Sequence, residues 1–244
     1  MRLVIDIGNT RFKAALFKEY NLIKEYSGER PEESLPEIIE SSPEGIDRCC
    51  ISSVSKSTDA VLSLLEQKAI PVLIPGPDIK LPFINKYQTI NTLGQDRIAA
   101  VAGACHVYPS TDVLIIDAGT AITFDFITRN GEYLGGNISP GVGMRFRALH
   151  EFTSNLPLLR MEETDSELGT TTASSIISGI KEGLLHEVNG YIQSLSNKYP
   201  EMRVLLTGGD SGFFDNKLKK PIFVVSNLTL LGLNYILGYN AQKY

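Results

Sequence analysis

Residues 3–10 read Leu-Val-Ile-Asp-Ile-Gly-Asn-Thr, and residues 114–120 read Leu-Ile-Ile-Asp-Ala-Gly-Thr. Each stretch is an apolar run suited to a strand buried on both faces, and each ends in Asp-x-Gly followed by a small hydroxyl or amide residue. A second apolar run follows both copies, at 12–17 and 122–127, and then a polar turn and a third strand-like segment. Self-similarity over roughly half the chain predicts two domains of one fold, related by duplication. The boundary falls near residue 111, giving halves 1–111 and 112–244.

The flanking sequence extends the pattern. Residues 2–7, 11–18 and 21–27 read as three successive strands, 31–41 as a helix with acidic residues in its first turn, 46–54 as a strand, 58–68 as a helix and 71–74 as a short strand. Residues 75–93, with Pro75, Gly76, Pro77 and Pro82, read as a long irregular loop, a feature that compact proteins often reserve for function. A small-residue helix is expected over 98–108. In the second half, Asn130-Gly131 marks a hairpin, 135–143 a glycine-rich loop leading into a helix, 172–195 a helix with an apolar stripe, 203–206 and 222–225 strands, and 228–237 a closing helix. The stripe of Ile176, Ile177, Ile180, Leu184, Leu185, Val188 and Ile192 suits either a core or a partner subunit. The fold class is therefore α/β, with two five-stranded mixed sheets flanked by helices.

Composition narrows the function. A net charge of −5 and the lack of any Lys/Arg run argue against a nucleic-acid partner, because phosphate-backbone binding needs clustered positive charge. No stretch reaches the ~18 consecutive apolar residues of a membrane span, and no leader precedes the first strand, so a cytoplasmic location is expected. Cys49, Cys50 and Cys105 make neither a C-x-x-C pair nor a disulfide framework.

Two motifs carry chemistry. Glycine lets backbone N–H groups converge on a phosphate, so Asp6-Ile7-Gly8-Asn9-Thr10 suits a polyphosphate, with Asp6 tolerable there if a divalent cation or its waters intervene and Lys13 offsetting charge. Both Asp-x-Gly loops run from strand to strand, which excludes a Rossmann loop, and no G-x-x-x-x-G-K-[ST] is present. The second motif is Gly94-Gln95-Asp96-Arg97, at the start of a helix. Arg97 suits a bidentate anion contact, while Asp96 is either an N-cap or an acceptor for the proton of an attacking hydroxyl. Thr207-Gly208-Gly209-Asp210 is either a nucleotide edge or a plain turn.

Two Asp-x-Gly strand-turn-strand units resemble the actin-like (ribonuclease H-like) ATPase superfamily of sugar and acetate kinases. Within it, Asp6-x-Gly8-Asn9-Thr10, Gly94-x-Asp96-Arg97, Asp117-x-Gly119-Thr120 and the Gly169-x-x-Thr172 to Ser178-Gly179 stretch together resemble the signature of type III pantothenate kinases. The resemblance spans nearly the whole chain. It implies transfer of the ATP γ-phosphoryl to pantothenate, with ATP, magnesium and a monovalent cation, potassium or ammonium, as cofactors. It implies ATP-phosphate contacts from Asp6, Ile7, Gly8, Asn9, Thr10, Arg11, Phe12 and Lys13, with Asp6 also toward magnesium, and an ATP contact from Thr120. Asp96 would be the base, and Tyr87, Gly94, Gln95, Asp96, Arg97 and Thr172 would line the pantothenate site. Asp117 would hold the monovalent cation, and a homodimer would bring Thr172 to the substrate. Family members commonly carry Asn before that threonine, where this chain has Thr171. Two rival readings remain: a kinase of another small hydroxy acid, and a regulatory binding protein of the Bvg accessory factor type.

Overall fold

A computed structural model of the protein describes residues 1–42, 44–53, 58–162, 167–214, 217–218 and 221–241. The elements in chain order begin β1 (Arg2–Ile7), β2 (Phe12–Lys18), β3 (Asn21–Gly28), α1 (Pro31–Glu40), β4 (Arg48–Ser53), α2 (Asp59–Gln67), β5 (Val72–Leu73), β6 (Ile84–Asn85) and α3 (Gln95–Val107). They continue β7 (Val113–Ala118), β8 (Ala121–Ile127), β9 (Glu132–Pro140), α4 (Val142–Glu151), α5 (Thr172–Lys198), β10 (Arg203–Thr207), β11 (Phe223–Val224) and α6 (Leu228–Asn240). Val54, the expected end of the fourth strand, lies outside the described residues. The chain separates into two compact units: Met1–Thr111 with Phe126–Gly135 and Asn227–Tyr244, and Asp112–Asp125 with Gly136–Ser226.

The first sheet has the order β3-β2-β1-β4-β5. β1 is antiparallel to β2 and parallel to β4, and both faces of β1 are buried, which explains its unbroken apolar run. Alternation sends Leu3, Ile5 and Ile7 into a core shared with Leu35 and Ile38 of α1 and Val61 and Leu65 of α2. Val4 goes to the opposite core, with Ala99 of α3 and Leu230, Leu233 and Leu237 of α6. Asp6 has the parity of Val4, so it points to the α3 side of the sheet. The same rule separates the adjacent cysteines: Cys49 belongs to the first core and Cys50 to the second. All three cysteines are free thiols, and burial pushes each of them up. α3 and α6 approach closely because Gly232 has no Cβ to strike the Ala99 carbonyl and Gly103 none to strike that of Leu228.

The second sheet has the order β11-β10-β7-β8-β9-β6. Its first five strands repeat the arrangement of the first sheet, with β7 in the place of β1 and β10 in that of β4. The expected pair of mixed sheets is therefore present, with one addition. The stretch expected to be irregular over 75–93 contributes β6, which pairs in parallel with Glu132 and Tyr133 of β9. A further departure lies at 135–140, expected as loop and found inside β9. Gly135 adopts φ +110°, a backbone conformation that favours glycine, and at Gly136 a Cβ would collide with the Phe124 carbonyl, so Gly136 serves a close strand approach. The apolar stripe of α5 is buried, with Leu184 and Val188 fully so, except at Leu185, which is half-buried. No described helix is long and apolar enough to cross a membrane.

Candidate functional site

In the first unit, the turn between β1 and β2 is closed by a hydrogen bond from Gly8 N to Arg11 O of 3.0 Å. A Cβ at Gly8 would sit 2.9 Å from that same carbonyl oxygen, so the tight turn requires glycine. Asn9, Thr10 and Arg11 are exposed, whereas Ile7 and Phe12 are 5% and 2% exposed, with side chains in the apolar core. Only the backbone of those two is available to a ligand.

Asp6 is the centre of a small polar group on the α3 face of the sheet. Register places Lys13 opposite it on β2 and Ser52 opposite it on β4. Ser52 Oγ donates a 2.5 Å hydrogen bond to Asp6 Oδ1. Burial raises the Asp6 carboxyl to about 6, and the nearby Asp96 charge adds to the rise, while Ser52 and Lys13 oppose it. A desolvated carboxylate beside a second carboxylate gains most from an added cation. Magnesium is usually held by one or two protein carboxylates plus substrate phosphates, so this donor set fits it. Among the described residues no cluster of three or more His, Cys, Asp or Glu offers an all-protein cage.

The start of α3 differs from expectation. The helix begins at Gln95, with Gly94 as N-cap, so Asp96 lies inside the first turn and is not the cap. Its Oδ1 accepts from Arg97 N at 2.9 Å. The Gln95 side chain accepts from Ser53 N at 2.9 Å, tying the helix start to the end of β4. Arg97 is 5% exposed, and its guanidinium carbon lies 5.5 Å from the centre of the Tyr87 ring. Asp6, Lys13, Gln95, Asp96, Arg97 and Tyr87 thus occupy one end of the first unit's sheet and helix α3. Ser52 was not legible as a participant, because a serine at a strand end carries no motif until the β1–β4 register is known.

In the second unit, Asp117 ends β7 and the Gly119-Thr120 turn leads into β8, closed by Gly119 N donating to Ala121 O at 3.1 Å. Thr207 of β10 stands opposite Asp117 in the parallel register. Gly208 follows at φ +94°, packed so closely that a Cβ would strike both Asp117 Oδ1 and the Ala118 carbonyl. Asp210 N donates to Ala118 O at 2.9 Å, and Gly141 N to Thr120 O at 3.2 Å. The Thr207-Gly208-Gly209-Asp210 stretch is therefore a neighbour of Asp117. One carboxylate beside backbone carbonyls is an all-oxygen donor set of the kind hard cations take. Burial also raises the Asp210 carboxyl.

Thr172 is the first residue of α5 and is exposed. Thr171 caps the helix in a reciprocal arrangement with Ser174, a role for which threonine and asparagine are both suited. Thr172 lines an open groove with Arg145, Phe152, Leu156 and Ile176, and that lining includes neither Asp117 nor Thr120. Arg145 is held by Glu187, by Ser139 and by the Pro140 carbonyl.

The sequence profile of a family described as type III pantothenate kinase matches residues 2–194. A type III pantothenate kinase of Bacteroides fragilis is 43% identical over 241 residues, covering 98% of both chains. Among solved structures, a protein from Campylobacter jejuni described as a conserved Baf family transcriptional activator superimposes with a TM-score of 0.62 at 23% identity, covering 98% of this chain and 99% of that one. The activator of 2-hydroxyisocaproyl-CoA dehydratase from Clostridium difficile, with bound ADPNP, has a TM-score of 0.55 at 14% identity and covers 99% of this chain and 97% of its own. At these identities the two structures speak to the fold alone.

Proposed function

The chain belongs to the type III pantothenate kinase family, and on that premise we propose that it phosphorylates the primary hydroxyl of pantothenate with ATP, opening coenzyme A synthesis. The observation that carries the reading is the placement of two carboxylates at one sheet end: Gln95 ties the first turn of α3, which holds Asp96, to Ser53 of β4, and the β1–β4 register sets Ser52 and Ser53 beside Asp6 and Ile7. One carboxylate would face the nucleotide phosphates and the other the acceptor hydroxyl. Phosphoryl transfer asks chiefly for in-line positioning and neutralised charge, and these elements suit both tasks.

The Gly8-Asn9-Thr10 turn, with backbone from Ile7 to Phe12, would hold the ATP phosphates, and Lys13 and Arg11 would offset their charge. Asp6 would hold magnesium, directly or through water, which supplies further neutralisation when bound. Asp96 accepts the hydroxyl proton as the pantothenate oxygen bonds to the γ-phosphorus and the bond to the ADP oxygen breaks. Its place in the first turn of α3 suits it to orient the hydroxyl. Arg97, with Tyr87 on its face, and the Gly94-Gln95 backbone would bind the carboxylate and amide of pantothenate. Asp117 would hold potassium or ammonium and Thr120 would contact ATP. Thr172 would reach the substrate across a homodimer interface formed on the exposed groove of the second unit, where Phe152 is 86% exposed. We read halves 1–111 and 112–244 as copies of one actin-like domain, supported by the matching strand orders, and we assign the enzyme to the cytoplasm.

The test is coupled ADP release by the purified protein with pantothenate and a panel of other small hydroxy acids, in potassium and in sodium. Pantothenate-dependent release stimulated by potassium supports the reading. Turnover that is indifferent to pantothenate, or faster with another acid, contradicts it.

A further inference from the structure

Tyr87 sits in the long 75–93 stretch, and a loop of that length offers no obvious means of holding one ring in place. The first unit contains such a means. Strand β6, two residues long, is pinned to β9 by Ile84 N donating to Gly131 O at 2.7 Å and Lys86 N donating to Tyr133 O at 3.0 Å. Lys86 and Glu132 add an ion pair at 3.2 Å, exposed and so of little weight. Immediately after β6, Asn85 Oδ1 accepts the backbone N–H of Tyr87 at 2.9 Å, a local turn that fixes where Tyr87 leaves the strand.

The ring itself is bracketed. Tyr133, fully buried, lies nearly parallel to Tyr87 at 12° with centroids 6.2 Å apart, and is in turn held edge-on by Phe83 at 6.0 Å. The Arg97 guanidinium also lies over the Tyr87 ring. Gly135, at φ +110°, leaves room for the ring: a Cβ there would already touch it at 3.5 Å. Fixing a tyrosine this way removes rotamer freedom before any ligand arrives, so the ordering cost is not charged to binding.

We propose that Tyr133 and Asn85 are positioning residues of the acceptor site, acting through Tyr87 and Arg97 to hold the pantothenate-facing wall in its binding geometry. Neither touches substrate. The proposal rests on the reading that Tyr87 and Arg97 contact pantothenate, and it locates in β6 and β9 the reason why the loop keeps a defined shape.

The experiment is steady-state kinetics of Tyr133→Leu, Tyr133→Phe and Asn85→Ala beside wild type, with KM for pantothenate and for ATP measured separately and melting followed by circular dichroism. The expected result is a pantothenate KM raised about tenfold in Tyr133→Leu and about threefold or more in Asn85→Ala, with ATP KM and kcat within about threefold, as lost positioning of a binding group requires. Tyr133→Phe, which keeps the stacked ring, stays within about threefold of wild-type pantothenate KM. Equal shifts in both KM values, or a lowered melting temperature with unchanged kinetics, overturn the proposal and leave the kinase reading intact. If Tyr133→Leu does not fold, Asn85→Ala alone decides. Wild type that releases no ADP with pantothenate overturns the kinase reading and this proposal with it.

Discussion

Replacing Asp6 by Asn makes the ligand-free protein more stable while removing its activity. The ordinary carboxyl value of 3.8 is raised to about 6, chiefly by burial. The folded state therefore binds the proton more tightly than the unfolded state, so stability is fully present below about pH 4 and is lost as pH rises through about 6. At ~1.36 kcal/mol per unit, the ionised carboxylate costs up to about 3 kcal/mol at pH 8 and roughly half of that at pH 5. Asn keeps an oxygen to accept from Ser52 and carries no charge, so it recovers that difference. In a chain of this length each kcal/mol moves the melting temperature by roughly 2–4 °C, giving a rise of about 6–12 °C at pH 8 and about half of that at pH 5. Activity falls by about 10²-fold or more, because the phosphate-facing charge is gone. Thermal denaturation of both proteins, ligand-free, at the two pH values measures the first effect, and ADP release the second. An Asp6→Asn protein destabilised equally at both pH values would refute the reasoning, since it would mean that the Ser52 hydrogen bond outweighs burial.

Asp96→Asn leaves the melting temperature within about 2 °C, because Gly94 and not Asp96 is the helix cap, yet lowers kcat by about 10²-fold in the ADP-release assay. Gly208→Ala forces a Cβ against Asp117 Oδ1 and the Ala118 carbonyl at φ +94°; it costs roughly 1–3 kcal/mol in urea denaturation and, on the proposed cation role of Asp117, removes potassium stimulation from the ADP-release assay. Gly232→Ala drives α6 away from the Ala99 carbonyl on α3, and soluble expression or a melting curve should show a loss at the upper end of single substitutions, about 4 kcal/mol or more. Leu184→Ala, emptying a fully buried position on α5, costs about 3–5 kcal/mol without altering the KM for ATP.

The strands that frame both Asp-x-Gly loops were legible because burial on two faces forces long apolar runs, and the duplication was legible because it repeats those runs. What escaped depends on non-local pairing. The helix at 98–108 begins three residues earlier because its cap is Gly94, which has no side chain to announce a start. Residues 135–140 look like a loop by glycine content, yet Gly136 is there because the Phe124 backbone leaves no room for a Cβ. A two-residue strand such as β6 is too short to show any period. Gly208 stood in a visible motif, but its closeness to Asp117 follows only from the parallel β7–β10 register. The α5 stripe fitted core or interface equally in sequence, and the full burial of Leu184 and Val188 places its middle in the core.

The most direct measurement of the central claim is ADP release by wild-type protein with ATP and magnesium in potassium buffer, with and without pantothenate, and with the phosphorylated product identified by mass spectrometry. The account predicts release that requires pantothenate, a product heavier by one phosphoryl group, and a rate lowered by about 10²-fold in Asp96→Asn. Release that proceeds equally without pantothenate, or a product never phosphorylated, would contradict it.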